Sequence, residues 1–189
     1  MPRSDALKWN QRYQQEKFKS FEQPRQFLVE NAGYLPQAGL ALDMAMGLGG
    51  NAGFLINHGL RVIGLDISTV AVFDAKSRYP SLMAAVVDLS RVVLPPERFD
   101  VIINFYYLQR DLWPVYQRAL RRGGLLVFES LTLKMLEQSA DIDTEFLLAP
   151  GELQQGFRDL RILDYREDWV LNDKGYSKAV ASLVARKIS

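Results

Sequence analysis

From residue 40 onward the apolar residues gather in short blocks separated by turn-forming residues. Residues 40–46 (LALDMAM) read as a first strand, followed by a glycine cluster at 47–53. FLINHG, closed by Gly59, reads as a short helix with a glycine stop. Residues 61–66 (RVIGLD) read as a second strand. Ser68 suits the cap of a helix running from Thr69 to about Tyr79, which Pro80 ends. Residues 82–87 form a third apolar block closed by Asp88, and after Pro95 and Pro96 residues 99–104 (FDVIIN) form a fourth. Residues 112–120 read as a helix broken by Gly123 and Gly124, with a fifth strand at 125–129.

Several of these strands are continuous apolar runs, the pattern of a parallel sheet covered on both faces. The expected architecture is one open α/β sheet with its ligand crevice at the carboxyl ends of the strands. Beyond it, residues 134–150 show no clean period. A short helix is expected at 152–157 and two strands at 161–170 and 178–187, joined as a hairpin by a turn at Asp173, Lys174 and Gly175. No internal repeat and no second domain are visible.

Composition narrows the chemistry. The 189 residues suit one domain, and 48 % apolar with 24 % charged residues is ordinary for a globular protein. Lys and Arg number 23 against 22 Asp and Glu, so the net charge of +1 supplies no global field for nucleic acid or anionic membrane. Absence of cysteine excludes thiolate nucleophiles and cysteine metal sites. His58, the single histidine, rules out a two-histidine metal site and reads as structural rather than as a base. The first nineteen residues lack a signal peptide's apolar stretch, and no apolar run reaches the ~18 residues of a membrane span. A cytoplasmic location is the default expectation.

Gly47, Gly49 and Ala52 satisfy the loose G-x-G-x-x-G/A spacing at a strand-to-helix turn. No GK[ST] follows, so this is not a phosphate P-loop. Asp66 closes the second strand about 20 positions beyond Gly47, where a carboxylate can accept from both ribose hydroxyls. That geometry serves NAD and S-adenosylmethionine alike. Asp88, at the next strand end, can accept from an adenine amino group or simply form a turn with Ser90. Asp43 separates the two cofactors best. A carboxylate beside the glycine turn repels a pyrophosphate and suits a sulfonium and an ammonium; it can also hold loop N–H groups.

With these motifs in order, the chain resembles class I S-adenosylmethionine-dependent methyltransferases, and within them is similar to the small tellurite-resistance-type group, over about residues 9–187. The first motif is DMAMGLGGNAGFL, in which Asp43, Gly47 and Gly49 match and Ala45 stands in place of the first glycine. VIGLDIS, AAVVDLS, FDVIINFYYLQRDLWP, GGLLVFE and the closing KAVASLVARK match the later motifs. The resemblance implies a seven-stranded, mostly parallel sheet with one antiparallel strand near the C-terminus. It implies an N-terminal helical segment (1–38) that covers the donor site of a core (39–189). It implies a donor, S-adenosylmethionine, released as S-adenosylhomocysteine, with no metal. The donor-contacting residues it implies are Tyr13, Asp43, Gly47, Gly49, Asp66, Ile67, Asp88, Leu89 and Asn104.

In-line transfer to a small-molecule acceptor is the expected reaction, with Asn104, Tyr106, Tyr107 and Arg110 positioning the acceptor. Each has a plainer role available: a cap for Asn104, packing for the tyrosines, and pairing with Asp111 or Glu129 for Arg110. Phe105 suits packing, Trp9 and Tyr13 share one helical face, and residues 134–148 are placed to form part of a lid. NFYY is distantly similar to the N-P-P-Y motif of amino-directed DNA methyltransferases, but both prolines are missing, and no nucleic-acid or membrane partner is expected. Oligomeric state stays open. An NAD-dependent oxidoreductase and a catalytically silent nucleotide-binding scaffold are the alternatives.

Overall fold

The computed structural model describes residues 2–15, 22–171 and 175–188. Its elements are α1 (Pro2–Tyr13), α2 (Gln26–Glu30), β1 (Leu40–Met44), α3 (Gly50–Asn57), β2 (Arg61–Asp66), α4 (Thr69–Arg78), β3 (Met83–Val86), β4 (Phe99–Phe105), α5 (Trp113–Ala119), β5 (Leu120–Leu131), α6 (Glu152–Gly156), β6 (Arg161–Leu171) and β7 (Ser177–Arg186). The strands form one seven-stranded sheet in the order β3-β2-β1-β4-β5-β7-β6. Neighbours are parallel from β3 to β5, and β7 runs antiparallel to both β5 and β6. One reversed strand near the C-terminus is the arrangement expected from the motifs. It departs from the all-parallel 3-2-1-4-5-6 order of dinucleotide-binding domains.

Alternate residues of each strand feed a core on either face of the sheet. Leu40, Leu42, Ile102 and Phe128 pack with Trp113, Tyr116 and Phe157 on one face. Ala41, Val62, Val101 and Val127 pack with Phe27, Leu55 and Val72 on the other. Trp113, Phe128 and Phe157 meet with ring centroids 5.2–6.2 Å apart, which fixes α5 and α6 on the sheet. Ser68 caps α4 by accepting from the Ala71 N–H. The Asn10 side chain of α1 accepts from the Ser68 hydroxyl at 2.7 Å and from the Val70 N–H at 3.3 Å, tying α1 to the start of α4. No helix among the described residues is long and apolar enough to cross a membrane.

Several boundaries differ from the sequence expectation. β1 stops at Met44 because Ala45 takes a left-handed φ of 54°. The helix expected at FLINHG starts earlier, at Gly50, within the glycine cluster. α5 ends at Ala119 because buried Leu120 turns extended and pairs with Phe99, and β5 then runs through Gly123 and Gly124. The apolar third strand lies at the sheet edge with Met83 and Val86 exposed. Residues 133–137 and 144–146 form 3-10 turns, and a bridge joins Thr132 to Leu148. Of the expected hairpin turn, Gly175 has φ 76°, while Asp173 and Lys174 lie outside the described residues.

Candidate active site

The crevice is built where β1 and β2 end. Gly47 has φ 58° and Gly49 has φ 80°, both left-handed. A Cβ on Gly49 would sit 2.7 Å from the Ala75 Cβ, so only glycine lets the loop pass α4 this closely. A Cβ on Gly47 would sit 3.0 Å from the Tyr13 hydroxyl, which places Tyr13 of α1 directly over the loop. Trp9 and Tyr13 share the expected face, stacked at 5.5 Å. Burial, then the nearby charge of Asp66, pushes the Tyr13 hydroxyl up, so it stays protonated.

Asp66 is buried and holds the loop. Its Oδ2 accepts from Gly47 N–H at 2.7 Å, its Oδ1 from Ser68 N–H at 2.8 Å, and Ile67 N–H also donates to it. Burial raises its pKa, and those three N–H groups oppose the rise. Its engagement with the backbone means that Asp66→Ala would disturb the loop as well as any ligand contact. Asp43, 1 % exposed, accepts from Ala52 N–H at the start of α3, and its Oδ2 is enclosed without a hydrogen-bond partner. Burial, and then repulsion from Asp66, drives its pKa well upward. Asp43 thus performs the loop-holding role and still keeps one oxygen for a ligand.

Asp88 follows β3 rather than ending it. It caps a 3-10 turn, accepting from Ser90 N–H at 3.1 Å and from the Ser90 hydroxyl at 2.7 Å. The turn alternative is therefore realised. The Ser90 hydroxyl lowers the Asp88 pKa, and its Oδ2 has no hydrogen bond, with Arg91 Nε 3.8 Å away. Leu89 is buried in the core beside it, and Ile67 is half-buried next to Asp66.

Across the crevice, Asn104 is 1 % exposed at the end of β4. It is not a cap: its Nδ2 donates to the Tyr116 hydroxyl at 2.9 Å, and its Oδ1 is enclosed without a partner. Phe105 packs in the core, as expected. Tyr107 donates to Gln109 Oε1 at 2.5 Å, and burial followed by the charges of Asp88, Asp5 and Asp66 pushes its hydroxyl up to about 12. Tyr107 thus lies beside the crevice acids Asp88 and Asp66.

Tyr106 turns away from them, with a left-handed φ of 61° and its hydroxyl donating to buried Glu129 Oε1 at 2.8 Å. Arg110 pairs with neither Asp111 nor Glu129. It forks onto Glu152 at 2.5 and 2.9 Å and donates to the carbonyls of Glu145 and Leu147 at 3.0 Å, which clasps the segment after β5 to α6. His58 caps the far end of α3 from the glycine loop and stacks on Phe54, away from these groups.

Sequence reasoning missed Arg25 and Glu129. Arg25 carries a guanidinium that acts electrostatically on Tyr13, Asp43 and Tyr106 and lies 4.8 Å from the Tyr106 ring centroid. It precedes α2, in a stretch whose pattern matches no motif. Glu129 was legible only as the end of the fifth strand and as a candidate partner of Arg110.

Against this geometry, residues 41–124 match the family model of the methyltransferase domain. The matched segment runs from β1 into β5 and is under half of the chain. No curated protein sequence matches it. Among solved structures, it is similar to an S-adenosylmethionine-dependent methyltransferase of Methanosarcina mazei (16 % identity, TM-score 0.71, covering 87 % of this chain and 99 % of that one). It is also similar to TehB of Haemophilus influenzae (18 %, TM-score 0.70, 84 % and 61 %), so the chain spans under two thirds of TehB's length. A third is geranyl diphosphate C-methyltransferase of Streptomyces coelicolor A3(2), solved with magnesium, geranyl diphosphate and S-adenosyl-L-homocysteine (14 %, TM-score 0.65, 86 % and 78 %). At these identities the structures establish a shared fold, and the domain match covers the half of that fold that holds Asp43, the glycine loop, Asp66, Asp88 and Asn104.

Proposed function

We propose that this methyltransferase domain moves the methyl group of S-adenosylmethionine to a small-molecule acceptor by in-line displacement. The observation that carries the reading is the pair of enclosed acceptor atoms without partners, Asp43 Oδ2 and Asn104 Oδ1, at the ends of adjacent strands β1 and β4. Enclosed acceptors of this kind are costly unless a ligand supplies donors. A ligand with an ammonium, ribose hydroxyls and an adenine amino group does so, and a pyrophosphate does not.

When bound, the donor supplies an electrophilic methyl: an acceptor lone pair bonds to its carbon, the carbon–sulfur pair stays on sulfur, and neutral S-adenosylhomocysteine leaves. Asp43 receives the ammonium. Asp66 accepts from the ribose with lone pairs left over from the backbone bonds. Asp88, Leu89 and Ile67 flank the adenine, while Gly47 and Gly49 leave room at the backbone. Tyr13 and Arg25 stand at the carboxylate end, and Tyr13 shields the loop from water. Asn104 and Tyr106 bound the acceptor side, and Tyr107 stands beside the acids that face the donor. Arg110 is left out of the substrate contacts, since its donors are spent on Glu152 and two carbonyls. The solved relative with S-adenosyl-L-homocysteine supports the donor assignment.

Calorimetric titration with S-adenosylmethionine, S-adenosylhomocysteine and NADH tests the reading. Saturable binding of the first two, tighter than NADH, is expected. No binding of either at millimolar concentration refutes it, and tighter NADH binding restores the oxidoreductase reading. Donor binding without methyl transfer to any member of a broad metabolite panel would favour the silent scaffold.

A further inference from the structure

A cavity of about 360 Å³ lies at the end of the sheet opposite the crevice, where β1 and β4 begin. It brings the stretch Tyr34, Leu35 and Pro36 before β1 together with Asp100 of β4, Arg122 of β5 and Arg186 at the end of β7. The one carboxylate of this lining is already engaged. Asp100 Oδ2 accepts from Leu40 N–H at 2.7 Å, and its Oδ1 accepts from Arg121 Nη1 at 3.3 Å. Glu97, just before β4, stands 3.8 Å from Lys187 Nζ.

The arginines of the lining are not engaged in this way. Arg122 is exposed and makes no side-chain hydrogen bond or ion pair with the described residues. Arg186 is half-buried; its Nη2 donates to the Tyr34 carbonyl at a long 3.4 Å, and its Nε is enclosed without a partner. The strand register adds a third guanidinium. Arg186 stands directly opposite Arg161 of β6, and its neighbour on β5 is Leu125, so neither strand sets an acid across from it. Arg161 is exposed and likewise makes no side-chain hydrogen bond or ion pair with the described residues. Asp164 of β6 stands opposite Val184 and forms no ion pair with either arginine. Like charges directly opposite on neighbouring strands repel, and an enclosed guanidinium N–H is costly without a counter-charge. An anion in the cavity relieves both.

We propose that this cavity is a second ligand site, separate from the crevice, which receives a small organic phosphate. The phosphate lies between Arg122 and Arg186 with Arg161 adding charge, and the organic part lies against Leu35 and Pro36. Arginine suits such a ligand because its planar fork sets two N–H donors on two oxygens of one anion. Three guanidinium charges match a dianionic phosphate better than a singly charged carboxylate. The site stands on its own residues and does not depend on the methyltransferase reading.

Amide chemical shifts of the full chain at constant ionic strength provide the test, with phenyl phosphate titrated against inorganic phosphate, benzoate and phenol. Phenyl phosphate is expected to shift Gly123, Gly124 and Arg186 saturably and to bind tighter than inorganic phosphate or benzoate, and phenol is expected to leave them unmoved. Arg122→Gln and Arg186→Gln should each weaken phenyl phosphate binding by at least about fivefold and leave the crevice amides of Gly47, Gly49 and Asp66 in place. Because Arg122 is exposed and without contacts among the described residues, Arg122→Gln reads the site even where Arg186→Gln disturbs the fold. No saturable shift, shifts confined to the glycine loop of the crevice, equal binding of inorganic phosphate or benzoate, or unchanged affinity in Arg122→Gln would each overturn the proposal.

Discussion

Replacing Asp43 with Asn should move stability and donor affinity in opposite directions. The side chain is 1 % exposed, one oxygen accepts from Ala52 N–H, and the other has no partner. Its pKa is raised well above the usual range, first by burial and then by Asp66. A carboxyl whose folded pKa is raised holds its proton more tightly when folded. Its contribution is most favourable at acid pH, below its unfolded pKa, and is lost as pH rises through the folded value.

Asparagine keeps the shape and an acceptor for Ala52, and removes the charge and the repulsion. The unloaded protein should gain about 1–2 kcal/mol at pH 7, or roughly 2–8 °C in Tm for a chain of this size. The lost contact to an ammonium should cost about 1.5–3 kcal/mol, a roughly 10- to 150-fold weaker affinity for S-adenosylhomocysteine. Differential scanning calorimetry from pH 4 to 8 and titration calorimetry read the two effects. The variant's stability should also fall less with rising pH than the wild type's. A lower Tm with unchanged affinity would refute the reasoning and make Asp43 a purely structural anchor.

Two further outcomes follow from particular contacts. Ala45 stands at φ 54°, so Ala45→Gly should relieve about 1–2 kcal/mol of strain against about 0.5–1 kcal/mol of added chain entropy; thermal melting should show a Tm unchanged or up to about 4 °C higher, and a clear drop contradicts this. Arg110→Ala removes the fork to Glu152 and two carbonyl contacts. Because that pair is partly solvated, the loss should be only about 1–2 kcal/mol, with faster proteolysis between residues 133 and 150 and unchanged S-adenosylhomocysteine affinity. Lost turnover at unchanged stability would return Arg110 to the substrate.

Much of the β1-to-β3 side of the crevice was legible along the chain because its groups are local to strand ends. A parallel strand must be buried on both faces, so its apolar run and its terminal acid announce themselves together, as in 61–66 with Asp66. The same rule misjudged β3, whose edge position depends on strand order and leaves Met83 and Val86 exposed. Gly123 and Gly124 read as a helix stop, yet the helix ends where Leu120 is drawn into the sheet beside Phe99. Asp88 offered two roles from spacing alone, and only the three-dimensional structure decided for the turn with Ser90.

The β4-to-β6 side of the crevice was almost silent in the sequence. Glu129 meets Tyr106, Ser182 and Arg166 from three separate segments, and Arg25 reaches Asp43 and Tyr106 from outside every motif. Arg110 lies beside Asp111 in the chain but finds Glu152 through the fold. Periodicity and strand-end position, which are short-range properties, determined the parallel strands, the closing hairpin, the glycine loop and the acids around it, while the reversed strand was legible only through the family resemblance. The tertiary structure alone decided which charges meet and which oxygens are left enclosed, because burial and ion pairing depend on side chains brought together across strands distant in the chain.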